Sequence, residues 1–408
     1  MKKDKSEKNI SSFRWVVLSC FIFVALLSQL SWLTFAPITS EMVKLFNVSP
    51  FEVSLLSLVW PLVFVILAIP VGIFIDKKGF KISVEIGAIL LAIFSIFRIF
   101  STIPNYNYSI LLISQTGAAL SQPFIFGSIT KIAINWFSEK DQGLATGLGT
   151  IGLFIGMMLA LAVTPFLYLS FGITNMLIIY SFISCIGAFL FIFFAKERKV
   201  NIIIDTTSTF TLKNLWELSK LKGFVIIEFA FFVVVGGFTA ITTWLEQILG
   251  SLHEISIDQA GIIGGLMIIG GIIGSIVIPS ISDKVNKIKP FILLDLVIGT
   301  FAIFLIGSID GFILLAFIFF IGGFFLMSAL PLVLEISSRI SGPGIEGRAS
   351  SLLWFFSQVG SVVLIAIVDP IYSLWGSYYY SILLIVILWL IAFLLFFSMK
   401  EINKTIKT

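Results

Sequence analysis

The sequence predicts an all-α membrane protein: twelve transmembrane helices in two pseudo-symmetric six-helix bundles. Three observations carry this. The 408 residues are 58% hydrophobic and 12% charged, with a mean hydropathy of +1.11; a water-facing chain needs about twice that charged fraction. The apolar residues gather into twelve runs, each long enough to cross a hydrocarbon core of about 30 Å. One long polar connection, 196–221, divides the runs six and six. The runs are continuous rather than alternating, which excludes a β-barrel, and only helices satisfy so much backbone in lipid.

The first run, 14–38, follows a basic tail, MKKDKSEKNISSFRW. A cleaved leader shows a short apolar stretch and then a small-residue cut site. Here the run continues past Trp32 to Pro37, so it is expected to stay as a spanning helix. The next runs lie at 51–75, 81–102, 108–136, 141–168 and 173–195. After the connection come 222–249, 257–281, 288–308, 311–338, 347–372 and 376–399. The expected domains are therefore 1–195, the linker 196–221 and 222–408. The linker's second half has the pattern of an amphipathic surface helix anchored by Leu212, Leu215, Trp216 and Leu218.

With both termini cytoplasmic, 24 of the 26 Lys and Arg residues fall in the tails, the even-numbered loops or the helix ends on that side. The exceptions are Lys44 and Arg98. That asymmetry sets the orientation and accounts for the net charge of +4 without nucleic acid. The expected location is the cell membrane. Cys20 and Cys185 lie inside apolar runs and suggest neither a disulfide framework nor a metal site, and no cofactor is expected. His253 is expected in a solvated loop. There is no phosphate-binding Gly-rich loop, so ATP is not expected to drive the protein. No His pair, Asp dyad or Cys–His arrangement marks an enzyme. One chain is enough for this architecture, and a monomer is expected.

The six-plus-six division suggests a duplication. At an offset of 204, SEKDQGLATGLGTIGLFIG (138–156) aligns with GPGIEGRASSLLWFFSQVG (342–360). Gly143 meets Gly347, Ala145 meets Ala349 and Gly156 meets Gly360. Glycines also recur at four-residue spacing, at Gly143, Gly147, Gly152 and Gly156 of the fifth run and Gly261, Gly265, Gly270 and Gly274 of the eighth. Such rows let helix backbones approach closely, and these two helices are expected to meet across the halves.

A compact charged turn, VGIFIDKKGFK (71–81), interrupts the apolar sequence after the second run. Its Gly72, Asp76, Lys77, Gly79 and Lys81 resemble the loop between helices 2 and 3 of the major facilitator superfamily. The departures are Lys77 for Arg and Phe80 for a basic residue. A second, degraded copy, SISDKVNKIK, keeps Asp283 and Lys284 and has Asn286 at the glycine position. Asparagine tolerates a left-handed conformation next best after glycine. The resemblance implies a latch that breaks and re-forms on the cytoplasmic side.

A narrower resemblance covers both halves. WLTFAPITSEMVKLFNVS, DKKG, LSQPFIFGS, LPLVLEIS and EGRASSLLWFFSQ are similar to the transporters named after the feline leukaemia virus subgroup C receptor. That branch is associated with choline, ethanolamine, haem and a B6 vitamin. It implies an aromatic cage with glutamines, here Trp32, Gln122 and Gln358. The tyrosine of its seventh helix falls at Thr239, so half of the cage is missing at its usual place. Phe238 and Trp244 are the aromatic residues near that position.

The residues themselves point the same way. Gln122 and Gln358 lie at mid-depth, where a polar side chain faces a cavity or a partner helix. Trp60, Phe126, Trp354 and Phe355 are candidates for an aromatic wall. Glu85, Lys131, Glu228, Glu335 and Arg339 lie toward cytoplasmic helix ends, and Arg98 and Glu246 toward outer ends. Lys131 and Glu335 share the offset of 204 and are expected to pair across the gate. Glu228, then Asp295, are the candidates for ion coupling. A site without central charge suits a quaternary amine or a neutral or amphipathic solute and argues against anions, which want a central Arg or Lys. The expected function is secondary transport of a small organic solute by alternating access, as uniport or cation-coupled; a non-transporting receptor on the same fold is the alternative.

Overall fold

The structure, a computed structural model, describes residues 12–138, 140–198, 218–221, 223–341 and 346–399. The linker anchors Leu212, Leu215 and Trp216 lie outside the described residues; Leu218 is buried. Every regular element among the described residues is helical.

The first half contains α1 (Phe13–Phe46), α2 (Pro50–Lys78), α3 (Phe80–Ile99) and α4 (Tyr108–Trp136). A continuous helical stretch, Gln142–Phe194, then turns at Gly172, whose φ of 72° is non-helical. It thereby supplies two crossings, α5 (142–171) and α6 (173–194). The second half contains α7 (Phe224–His253), α8 (Ile257–Val285), α9 (Lys289–Leu305), α10 (Phe312–Ser341), α11 (Glu346–Trp375) and α12 (Tyr379–Ser398). Among the described residues, ten stretches are long and apolar enough to span a membrane outright. The division at Gly172 and the 17-residue α9 bring the crossings to the expected twelve.

Several helices outrun the apolar runs by about a turn, because polar residues at a membrane interface stay helical. α7 continues to His253 and ends at Glu254 in a left-handed conformation, φ 54°. His253, expected in a loop, is therefore helical. Its side chain is 3% exposed, and Nδ1 lies 2.8 Å from Asp310.

Two helices are interrupted. In α1 a 3-10 turn at Ala36–Ile38, led by Pro37, separates Phe13–Leu33 from Thr39–Phe46. α4 is built of three pieces, Tyr108–Ala119, Ser121–Phe126 and Ile129–Trp136. The breaks flank Pro123, which has no N–H to continue the ladder.

The chain forms two compact units. The first comprises Met1–Ser31, Ile66–Gly156 and Ile173–Thr209; the second comprises Trp32–Val65, Met157–Gly172 and Phe210–Thr408. In the first, Phe21 and Val24 of α1, Phe80 and Val84 of α3, Ile125 and Ile132 of α4 and Phe191 of α6 share one core. Gly152 and Gly156 of α5 face α1, where an added Cβ would meet Ile22, Leu26 and Gln29. Gly143 and Gly147 have nothing within 4 Å of an added Cβ.

In the second unit α7 and α11 cross backbone to backbone: a Cβ on Gly236 would meet Gly360, and one on Gly360 would strike the Phe232 carbonyl. The glycine row of α8 serves two partners. Gly261 and Gly265 meet α5 at Leu161, Ala162 and Pro165, while Gly270 and Gly274 meet α10 at Phe320 and Phe324. α5 and α8 thus meet as expected, but beyond the glycine row of α5.

Candidate functional site

The charged turn is built as its residues dictate. Gly79 has φ 91° and ψ 168°, a region nearly closed to other residues. A Cβ there would also strike the Glu197 carboxylate at 2.7 Å. Glu197 accepts the backbone N–H of Lys81 at 2.8 Å and so caps the first turn of α3. Lys131 of α4 donates to Asp76 at 2.8 Å and to the Ile75 carbonyl at 2.9 Å, and Lys81 pairs with Glu85 at 3.4 Å. Lys77 is exposed, and a Cβ on Gly72 would meet nothing.

In the second copy Asn286 adopts φ 56° as the glycine substitute and caps α8, its N–H reaching the Asp283 carbonyl. Lys284 is exposed. Glu335 accepts from Arg339 at 2.5 Å, one turn along α10. Lys131 and Glu335, expected to pair with each other, each have a partner inside their own unit.

The candidate site residues of the first unit lie on α4. Gln122 is 3% exposed, and its Oε1 has no hydrogen-bond partner among the described residues. Phe126, one turn on, is half-buried against the shared core. Sequence reasoning missed the companions of Gln122. Gln115 stands two turns earlier on the same face and donates to the Ser31 carbonyl of α1 at 3.1 Å. On α1 and α4, Ser28 Oγ, Gln29 Nε2, Ser31 Oγ, Gln115 Oε1 and Ser121 Oγ are also buried without a partner among the described residues. Polar atoms at membrane depth need a protein or water partner. The depth argument that found Gln122 applies equally to Gln29 and Gln115.

The aromatic candidates lie in the second unit. Trp32 of α1 is buried, and its indole N–H donates to the Ser57 carbonyl of α2 at 3.0 Å, which fixes the ring. Trp60, one turn beyond Ser57, is fully buried, and its N–H has no acceptor among the described residues. Trp354 of α11 is half-buried, edge-on to Phe231 of α7 with centroids 6.0 Å apart. Phe355 is half-buried and packs edge-on to Phe356, and Gln358 is half-buried one turn from Trp354. Thr239 is buried, and its hydroxyl proton goes to the Val235 carbonyl of its own helix at 2.8 Å. Trp244 of α7 is buried, its N–H donates to the Ile365 carbonyl of α11 at 3.1 Å, and its ring packs against Tyr378.

A second network in this unit was not foreseen. Glu246 of α7 accepts the backbone N–H of Ser40 at 3.2 Å, the Ser40 hydroxyl, and Gln247 Nε2 at 2.7 Å. The neighbouring Glu41 pairs with Lys44 at 2.8 Å and accepts from Tyr168 of α5 at 2.9 Å. Of the coupling candidates, Glu228 accepts from Ser219 at 2.6 Å, and Asp295 is fully buried in α9. Among the described residues no group of three His, Cys, Asp or Glu side chains is placed to hold a metal.

The model of the Major Facilitator Superfamily matches residues 21–365. An uncharacterised protein of Archaeoglobus fulgidus is 36% identical over 226 residues, 55% of this chain and all of that one. The choline/ethanolamine transporter flvcr2a of Danio rerio is 24% identical, over 89% of this chain and 82% of its own. Among solved structures, a bacterial homologue of the human lysosomal transporter Spinster, inward-facing and occupied, matches with a TM-score of 0.73 at 14% identity, covering 95% of this chain and 97% of its own.

Proposed function

The chain belongs to the major facilitator superfamily, a family of integral multi-pass membrane transporters, and from that premise we propose that it carries a choline-like amino alcohol by alternating access. The observation that carries this reading is the fixed ring of Trp32. Its N–H is held by the Ser57 carbonyl, so its π-face has a set orientation at little further entropic cost. A quaternary or primary ammonium over such a face gains roughly 0.5–2 kcal/mol, more where water is excluded. Gln122, in the first unit, adds a buried acceptor oxygen with no partner among the described residues. The choline/ethanolamine relative supports the same chemistry.

The gating elements fall into two sets. Ser40 belongs to the first half of the sequence and Glu246 to the second, so their contact joins the halves at the loop between α7 and α8. Asp76 and Lys131, with Asp283 and Lys284 of the second copy and the pair Glu335–Arg339, belong to the ends facing the even-numbered loops. Both termini and those loops lie in the cytoplasm, and the Ser40–Glu246 contact closes the outer side. Solute moves when one set releases and the other engages.

The test is uptake of radiolabelled choline into proteoliposomes, wild type beside Trp32→Ala. Saturable flux in the wild type with KM raised about 2- to 30-fold in the variant matches the cation–π range. No flux above empty vesicles, from folded protein, sinks the choline assignment; unchanged KM in Trp32→Ala removes the ring from the site.

A further inference from the structure

We propose that Asp295 is a proton-carrying site in α9 that couples solute movement to a proton gradient. This rests on the transporter reading above, but not on the identity of the solute. Asp295 is 0% exposed and stands six residues, about 9 Å, into α9. Neither carboxyl oxygen has a hydrogen-bond partner among the described residues. The polar side chain that faces it is Ser328 of α10. Ser328 has one hydroxyl proton, and that proton goes to the Phe325 carbonyl at 2.7 Å. An ionised Asp295 would therefore have to compete with the Phe325 carbonyl for the single Ser328 proton. A neutral carboxyl supplies its own proton and can donate it to the lone pairs left on Ser328 Oγ.

Among the described residues of the helices packed on α9, no cation is placed to compensate a charge here. α9 packs against α10 and α12. On α10 the charged residues are Glu335 and Arg339, which pair with each other. α12 carries no charged residue over Tyr379–Ser398. On α9 itself, Lys289 is tied to the carbonyls of Phe397 and Met399. An unpaired carboxylate in such surroundings is strongly disfavoured, so the group is held as the neutral acid. The other two buried carboxylates differ: Glu228 has the Ser219 hydroxyl and Glu246 has three donors.

Coupling requires the proton to be locked in one conformation and exchangeable in another. Beside Asp295 lies a cavity lined by Ile292, Leu296, Leu326, Ala329 and Val333, among other apolar side chains. An apolar cavity stays dry, which locks the proton in this conformation. Three residues beyond Ser328, Pro331 leaves the Met327 carbonyl without its helical N–H. Helices bend at such turns, and bending α10 there would separate Ser328 from Asp295 and admit water. The proton is then released as H⁺ from the carboxyl, with no covalent step.

Two readouts test this. Purified protein labelled with 13C at aspartate side-chain carboxyls should show, at neutral pH, an infrared carbonyl band of a protonated acid. The isotope should shift that band, and Asp295→Asn should remove it. In proteoliposomes with the membrane potential clamped, the wild type should accumulate choline up to tenfold per pH unit of imposed gradient, acid outside. Asp295→Asn, which mimics the neutral acid, should lose accumulation yet keep solute counterflow within about twofold of wild type. Absence of the protonated band overturns the proposal, and so does accumulation that survives Asp295→Asn. If the wild type shows no choline counterflow, the choline reading fails; the infrared band and its loss in Asp295→Asn then decide the proton site, with Asp295→Glu, which should move the band off the labelled position, as the second variant if Asp295→Asn fails to fold.

Discussion

The carboxylate of Glu246 accepts both the backbone N–H and the hydroxyl of Ser40, 206 residues earlier in the chain. Hydrogen bonds to a charged group contribute about 1.5–3 kcal/mol each, so this pair is a strong point of attachment between α1 and α7. Glu246→Gln keeps the shape and removes the charge. The expected result is a roughly 10-fold or greater shift toward conformations open at that end. The measurement is labelling of a cysteine at buried position Thr243 with an impermeant maleimide, after Cys20 and Cys185 are changed to serine. Equal labelling with and without Glu246→Gln would show that the contact does not hold the gate.

The turn at Gly79 makes a stability prediction. Gly79→Ala forces a side chain into a conformation that costs about 1–3 kcal/mol and against Glu197. Thermal unfolding in detergent should fall by several degrees. Asn286→Gly, at the matching position of the second copy, keeps the left-handed turn that glycine accepts freely. Its Tm should stay within a degree or two of wild type. A Gly79→Ala protein as stable as wild type would mean that the turn relaxes without loss.

The glycines separate into two classes by what surrounds them. A Cβ on Gly360 strikes the Phe232 backbone where α7 and α11 cross, so Gly360→Ala should lower Tm or yield. A Cβ on Gly143 meets nothing, and alanine is the better helix former by about 0.5–1 kcal/mol. Gly143→Ala should therefore leave Tm unchanged or raise it slightly. The same change should slow flux if α5 must close against another helix at that face during transport; stability and uptake measured side by side separate the two effects.

These contrasts show what the sequence could carry. Twelve apolar runs and the tolerance of Asn286 for a left-handed turn depend on local composition and backbone sterics, and both were legible. Ser40 and Glu246 each look like an ordinary polar residue near a helix end, and nothing local joins them. The sequence offset pairs Lys131 with Glu335, whereas geometry gives Lys131 the carboxylate of Asp76 on the turn beside it. The α4 breaks around Pro123 were written in the sequence but hidden by an uninterrupted apolar run. Gln29 and Gln115 were legible by the argument that found Gln122, and their burial without full pairing is what distinguishes them from packing.

Gln122 gives the sharpest test of how the solute is read. Its Oε1 is buried and has no donor among the described residues, so a solute hydroxyl is a partner that fits it. Losing one neutral hydrogen bond costs about 1 kcal/mol, or roughly fivefold in affinity. Gln122→Leu should raise the KM for choline by about that factor. Tetramethylammonium has the same cationic head without the hydroxyl, and its inhibition constant should not change. If both ligands weaken together, Gln122 shapes the site as a whole. If neither changes, the unpartnered oxygen belongs to a buried water and the hydroxyl is read elsewhere. Trp60, whose buried N–H lacks an acceptor, would then be the next residue to change, as Trp60→Phe.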